Sequence, residues 1–161
     1  MNVFDFAIKM EDDGGKFYEK LAAEADDPEL KMIFSLLAEE ELQHRNIFQS
    51  MKDGEDPAQA DSRIMGRAKS AFQKLLDKKD MSGILRSDPD AYLHSIKTEE
   101  EYIRLYEDMA NREKSPHVKE LLLRIAEEER HHLKIMEHIY DFVESPRNFL
   151  AWGEFSNLRD L

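Results

Sequence analysis

Two short segments of the sequence carry glutamate and histidine at a spacing that suits metal binding. They are AEEELQH at 38–44 and AEEERHH at 126–132. Each contains one Glu-x-x-His pair, Glu41 with His44 and Glu129 with His132. Residues three apart share one face of an α-helix, so one helix could offer an oxygen and a nitrogen to the same ion. A single pair is weak evidence, because a charged run usually forms the solvated face of a helix.

The two segments belong to an internal repeat with an offset of 88 residues. Without a gap, AIKMEDDGGKFYEKLA at 7–22 aligns with SIKTEEEYIRLYEDMA at 95–110, and Pro28 aligns with Pro116. Between residues 7 and 53, 15 positions are identical to their counterparts 88 residues later. The repeat therefore predicts two copies of a helical hairpin joined by a long connection.

Capping residues, prolines and glycines divide the sequence into helices. Three Asp-Pro or Ser-Pro pairs each place a capping side chain before a proline, which favours the first turn of a helix. No segment shows sustained alternation with a period of two, so the predicted fold class is all-α. The predicted helices span roughly 2–25, 28–53, 89–113 and 116–144. Within the connection at 54–88, an amphipathic stretch at 61–79 predicts an extra helix.

Rows of residues spaced by seven predict which side chains face the core. On the second and fourth helices these rows are apolar except for the two Glu-x-x-His pairs, and the first and third helices carry one acid each. The inward-facing polar residues are therefore Glu11, Glu41, His44, Glu99, Glu129 and His132. The neighbouring residues predicted to be solvated or to face away are Glu39, Glu40, Glu127, Glu128 and His131.

Four carboxylates in one core, with no lysine or arginine on the same rows, require cations. Burying one carboxylate costs several kcal/mol even after relaxation, and nearby like charges raise the cost. Two divalent ions would balance the four charges, and the two imidazoles would complete the ligand shells. A lone core histidine is ordinarily structural. Two Glu-x-x-His helices plus one glutamate from each of two others is the ligand pattern of di-iron and di-manganese carboxylate bundles.

Composition excludes several other classes of protein. The 161 residues contain no cysteine, which excludes disulfides, thiolate metal sites and a cysteine nucleophile. A net charge of −12 disfavours nucleic acid as a partner, because its phosphates would be repelled. The start, MNVFDFAIKMEDD, carries acids where a signal peptide needs an apolar run, and no stretch reaches about 18 apolar residues. We therefore expect an unprocessed cytoplasmic protein that does not bind membranes.

Through MEDDGGKFYEKLA and the two AEEE-x-x-H segments, the sequence resembles the rubrerythrin-related proteins of the ferritin-like superfamily. The resemblance implies a ferritin-like four-helix bundle in which the second and third helices run parallel. It implies one domain at 1–161, with the bundle at about 2–144, the crossover at 54–88 and a C-terminal tail at 145–161. The family's glutamates and histidines bind a di-iron centre, so iron is the expected metal, although such ligands also accept manganese or zinc.

Two departures from the family pattern concern the site and its electron supply. Rubrerythrins use an additional glutamate one turn beyond the third-helix ligand, where this sequence has Tyr102, which leaves a symmetric set of six ligands. They also carry a rubredoxin domain with four cysteines, which are absent here. Tyr18, Tyr102 and Tyr106 are candidates to hydrogen-bond the ligand carboxylates. No catalytic residue is predicted beyond the ligands.

The expected function is that of a di-iron redox protein that reacts with peroxide or dioxygen. Without cysteines it would need an external electron donor, such as a rubredoxin-type protein. The apolar tail at 145–161 would pack on the bundle or on a second subunit, and a homodimer is the expected assembly. Two alternatives stay open: a ferroxidase that stores iron, and a helical bundle that binds metal without catalysis.

Overall fold

The computed structural model describes residues 2–56, 63–76 and 89–144, and the regular structure within these ranges is α-helical. The helices are α1 (Val3–Glu24), α2 (Pro28–Asp53), α3 (Arg63–Leu76), α4 (Pro89–Arg112) and α5 (Pro116–Glu144). Their bounds lie within two residues of the predicted helices in the four main segments. Parts of the predicted crossover, at 57–62 and 77–88, and the predicted tail at 145–161 lie outside the described residues.

The chain divides into two compact units, residues 1–87 and 88–161. In the first unit α1 and α2 pack together as a hairpin and α3 packs against α2, whereas in the second unit α4 packs against α5. Each unit therefore contains one copy of the repeated hairpin. None of the described helices has a stretch long and apolar enough to cross a membrane.

Capping side chains lie at the starts of α1, α2 and α5, and those at α2 and α5 belong to predicted capping pairs. The Asn2 side chain accepts a hydrogen bond from the backbone N–H of Phe4, and Asp27 accepts one from Leu30. Gly54 ends α2 with φ of 71°, a left-handed conformation that glycine adopts without a steric penalty. The Ser115 hydroxyl accepts a long hydrogen bond, 3.4 Å, at the start of α5. The third predicted capping pair begins at position 88, outside the described residues.

The predicted apolar rows of the first unit are buried, and two ion pairs link α1 to α2. Leu30, Phe34, Leu37 and Phe48 of α2 are fully or almost fully buried. Arg45 of α2 contacts Asp12 of α1 at 2.8 Å, and Lys52 contacts Asp5 at 2.5 Å. The predicted extra helix is present as α3, and its buried face is formed by Ile64, Ala68, Ala71, Phe72 and Leu75.

The second unit has the same arrangement as the first: the apolar rows of α4 and α5 are buried, and an ion pair links the two helices. Tyr92, Tyr106 and Ala110 of α4 are completely buried, as are Leu122, Ile125 and Met136 of α5 to within 1%. Arg130 of α5 contacts Glu107 of α4 at 2.7 Å, an ion pair that links these two helices near the surface. The apolar rows of both hairpins thus form their cores, and the predicted polar residues lie within those rows.

Candidate metal centre

All six predicted ligands are buried. None exposes more than 2% of its surface, a low value for charged and polar side chains. The residues are Glu11 on α1, Glu41 and His44 on α2, Glu99 on α4, and Glu129 and His132 on α5. Helical periodicity explains this burial, because each of the six residues lies on the face of its helix that packs against the other helix of the same hairpin.

The first unit brings three ligands together at one level of its hairpin. One donor atom from each of Glu11, Glu41 and His44 lies within 4.8 Å of the others. The Nδ1 atom of His44 is 3.6 Å from an Oε2 atom of Glu11, so this ring nitrogen faces the carboxylates. Gly15, one turn after Glu11, leaves space beside Glu41: a Cβ there would lie 3.7 Å from the Glu41 Cβ. We call Glu11, Glu41 and His44 the first ligand set.

The second unit builds the equivalent set from Glu99, Glu129 and His132. Their donor atoms also lie within 4.8 Å of one another. The Nδ1 atom of His132 is 3.3 Å from Glu129 Oε2 and 3.9 Å from Glu99 Oε1. Burial raises the pKa of Glu99 well above its ordinary value of 4.5, the neighbouring Glu129 raises it further, and His132 opposes the shift. Without a cation, this set therefore favours a proton on Glu99.

The donor chemistry of both sets fits a divalent metal. Nitrogen and oxygen ligands bind such ions at about 2.0–2.2 Å, so two ligands of one ion lie about 3–4.2 Å apart. The histidine–glutamate separations of 3.3, 3.6 and 3.9 Å fall in that range. Each set offers two carboxylates and one imidazole, which suit iron, manganese or zinc. The residues present can therefore hold metal ions, and their individual roles as ligands stay predictions.

One neighbouring residue is placed differently from its prediction. Glu40 was expected on the solvated surface, but it is buried, with only 3% exposed. Its carboxylate has an oxygen within 4.8 Å of a ring nitrogen of His44, one turn further along α2. The prediction was wrong because a core-facing helix buries a stripe wider than two rows.

The other neighbours lie nearer to the surface. Glu39 and Glu127 are exposed, as predicted. Glu128 is intermediate, with 18% of its side chain exposed, and it contacts Arg124 at 3.2 Å. The side chain of His131 is 17% exposed and lies 3.7 Å from Glu127, whereas His132 is completely buried. The predicted phase, with His132 inward of His131, is therefore confirmed.

A signal for the burial of Glu40 exists in the sequence. Ile33, Glu40 and Ile47 form a third row at a spacing of seven, and both isoleucines are buried. An acid between two core isoleucines on one row predicts a buried carboxylate by the same logic that identifies Glu41. The corresponding row of α5 contains Glu128 between Leu121 and Ile135, of which only Ile135 is fully buried.

The three tyrosines predicted to support the ligands are all buried. Tyr18 lies seven residues after Glu11, and Tyr106 lies at the same position relative to Glu99. The exposed fractions of Tyr18, Tyr102 and Tyr106 are 1%, 7% and 0%. The rings of Tyr102 and Tyr106 lie 6.3 Å apart, within the range of aromatic pairs. Hydrogen bonding of these tyrosines to the ligand carboxylates stays a prediction.

Comparison with known proteins supplies the family. The family model described as Rubrerythrin matches residues 2–86 and 90–153. The match covers most of the chain and both ligand sets, so this protein belongs to the rubrerythrin family. The predicted all-α, ferritin-like fold class is thereby confirmed. A search of curated proteins and a search of solved structures each returned no match.

Proposed function

We propose that this protein is a di-iron redox protein that reduces peroxide or dioxygen with electrons from an external donor. The observation that supports it best is the pair of buried ligand sets, one in each copy of the repeat. Each set contains two carboxylates and one imidazole, and together they match the ligand pattern of di-iron carboxylate proteins. We infer that the two sets together hold two ions.

Charge supports metal occupancy over a purely structural core. The residues of the two sets are almost fully buried, and the two carboxylates within each set would repel one another without a cation. In the second set, burial raises the pKa of Glu99 and the neighbouring Glu129 raises it further, so a proton on Glu99 would relieve the repulsion when no cation is bound. Two divalent ions would replace such protons and match the four negative charges.

The residues of the chain would bind, shield and orient the reacting centre. Bound iron would supply electrons in a pair to a peroxide or dioxygen molecule. Glu41 and Glu129 belong to Glu-x-x-His pairs, so each can share an ion with the histidine on its own helix. The apolar rows around the ligands exclude water. Glu99 can take up a proton when a cation leaves, since its environment already favours the protonated carboxyl.

The electrons would come from outside these residues. The sequence contains no cysteine, so it cannot hold a thiolate-bound iron that would pass electrons to the centre. We propose a rubredoxin-type protein as the donor, a cytoplasmic location and a homodimeric assembly. The electron donor is proposed from the reaction's need for electrons and from the family resemblance, and the homodimer from the apolar sequence at 145–161.

Stopped-flow absorbance tests the proposed reaction. Protein loaded anaerobically with two equivalents of iron(II) is mixed with hydrogen peroxide, and separately with dioxygen. We expect iron oxidation faster than in a protein-free control with the same buffer and iron concentration, because the sets hold both ions in place. Repeated turnover should require an added reductant.

A matched variant separates catalysis from other outcomes. Glu129→Ala removes a carboxylate of the second set, whereas Glu127→Ala changes an exposed residue two positions away. The first variant should abolish the acceleration, and the second should retain it. Tight metal binding without accelerated oxidation by either oxidant would refute the redox proposal and favour a non-enzymatic metal protein. Retention of oxidised iron in large particles would favour storage.

A further inference from the structure

We propose that one face of α3 is the docking surface for an acidic electron-donor protein. Arg63, Arg67 and Lys74 define this surface, which we call the basic face. The inference rests on the proposed redox function, because it gives the donor that this function requires a charge and a place on the chain.

The charge of α3 is opposite to that of the rest of the chain. Its 14 residues include no acid and four basic residues, Arg63, Arg67, Lys69 and Lys74. Since α3 contributes +4 to the net charge of −12, the other residues carry −16. A partner of net negative charge is therefore repelled by the chain as a whole and attracted to α3. This contrast gives such a partner a preferred place and orientation of approach.

Three of the four basic residues share one exposed face of the helix. With about 100° of rotation per residue, Arg63, Arg67 and Lys74 lie within about 40° of one another. Lys69 is at least about 120° from each of them. The three residues of the basic face are exposed, whereas Lys69 is half-buried. The packing of α3 against α2 uses a different, apolar face of the helix, so this packing does not explain the basic face.

The basic face borders a groove that suits the surface of a protein. The groove has a volume of about 550 Å³ and lies between the basic face and the first turns of α2. Met32 of α2, which is 48% exposed, adds apolar surface to it. From Arg63 to Lys74 the face extends about 16 Å along the helix, at 1.5 Å per residue. A small anion would contact only part of this length, whereas a row of acids on a protein surface can meet all three cations.

The position of the groove favours an electron donor as the partner. α3 packs against α2, which carries Glu41 and His44 of the first ligand set. Met32 precedes Glu41 by nine residues, or about 14 Å along α2. Reduction of one hydrogen peroxide to two water molecules consumes two electrons and two protons, so the donor must give up two electrons per turnover. A donor on the basic face would deliver them beside a helix that holds two of the ligands.

Binding of a rubredoxin of net negative charge, with zinc in place of its iron, tests the docking surface without electron transfer. Isothermal titration calorimetry compares the full wild-type chain with Arg67→Glu, Lys74→Glu and Lys69→Glu. The last two make the same change of charge on the same helix, but only Lys74 belongs to the basic face. We expect Arg67→Glu and Lys74→Glu each to weaken binding by about 5–10-fold, and Lys69→Glu by less than about twofold. Wild-type binding should also weaken as salt is raised from about 0.01 to about 0.15 M, because the screening length falls from about 30 to about 8 Å.

Kinetics then separate docking from the reaction at the metal centre. The iron-loaded protein is supplied with hydrogen peroxide and reduced iron rubredoxin. Lys74→Glu should raise the donor concentration needed for half-maximal turnover by about the factor found for binding, about 5–10-fold, and Lys69→Glu should not. A single oxidation of bound iron(II) by peroxide, without donor, should proceed at the wild-type rate in both variants.

Several results would overturn the inference. They are equal loss of binding in Lys74→Glu and Lys69→Glu, wild-type binding that does not respond to salt, and no binding of the acidic rubredoxin at low salt. Loss of self-association in the basic-face variants, measured by sedimentation, would assign the face to a second copy of this chain instead. If a charge reversal prevents folding, the neutral pair Lys74→Gln and Lys69→Gln decides the question. Binding that depends on the basic face, in a protein whose iron peroxide does not oxidise, would refute the redox function and support the docking surface.

Discussion

The sharpest prediction concerns two adjacent histidines of α5. His132→Ala should strongly weaken metal binding, and His131→Ala should change it little. His132 is completely buried, with Nδ1 at 3.3 Å from the Glu129 carboxylate. The His131 side chain is 17% exposed, and its contact with Glu127, at 3.7 Å, involves a side chain that is 59% exposed.

The magnitudes follow from these environments. Loss of a residue that only orients a metal ligand costs about 10–100-fold in affinity, so loss of the ligand itself should cost at least about 100-fold, or about 2.8 kcal/mol. A partly exposed side chain with a weak ion pair typically contributes within about 0.5 kcal/mol, which corresponds to about twofold in affinity. The two variants should therefore differ by about 50-fold or more.

Chelator competition with cobalt(II) or zinc(II) measures this difference directly. Circular dichroism of both metal-free variants checks that the helices are retained. The repeat offers a second matched pair, since Gln43 occupies the position equivalent to His131 and His44 the position equivalent to His132. His44→Ala should be the damaging change there, and Gln43→Ala the mild one. Greater damage from His131→Ala than from His132→Ala would show that the helical phase of the site is wrong.

Three further predictions concern stability. Gly15→Ala should raise the free energy of unfolding by about 0.4–1 kcal/mol, or the melting temperature by about 1–4 °C, because alanine favours the helix. The added Cβ would lie at ordinary contact distances of 3.7 Å from Glu41 and 3.9 Å from Ala38. A lower melting temperature by calorimetry would contradict this packing. Removal of metal by a chelator should lower the melting temperature at neutral pH, because ions that bind only the folded state stabilise it, and an unchanged value would count against the site. In metal-free protein the stabilising contribution of protonated Glu99 is fully present below the unfolded-state pKa, near 4.5, and is lost as pH rises through the raised folded-state pKa. The melting temperature of the metal-free protein should therefore fall as the pH rises above the unfolded-state pKa and through the raised folded-state pKa of Glu99, and Glu99→Gln should remove most of that fall.

Much of the fold was predictable because its determinants are local in sequence. Capping side chains, prolines and Gly54 set the helix ends within two residues of the structure. Hydrophobic periodicity identified the buried faces, including the burial of both Glu-x-x-His pairs. The 88-residue repeat then linked each pair to a glutamate on the preceding helix of its hairpin. These inferences need only helical geometry and the cost of burying charge.

The sequence by itself therefore determined the helices, the repeat and the six inward-facing residues. The tertiary structure decided how the flanking acids differ, since Glu40 and Glu128 occupy equivalent positions with identical side chains. One is buried beside His44 and the other is partly exposed against Arg124. Periodicity assigns a residue to a face, but the width of the buried stripe depends on how closely the neighbouring helix packs and on which side chains compete at its edge.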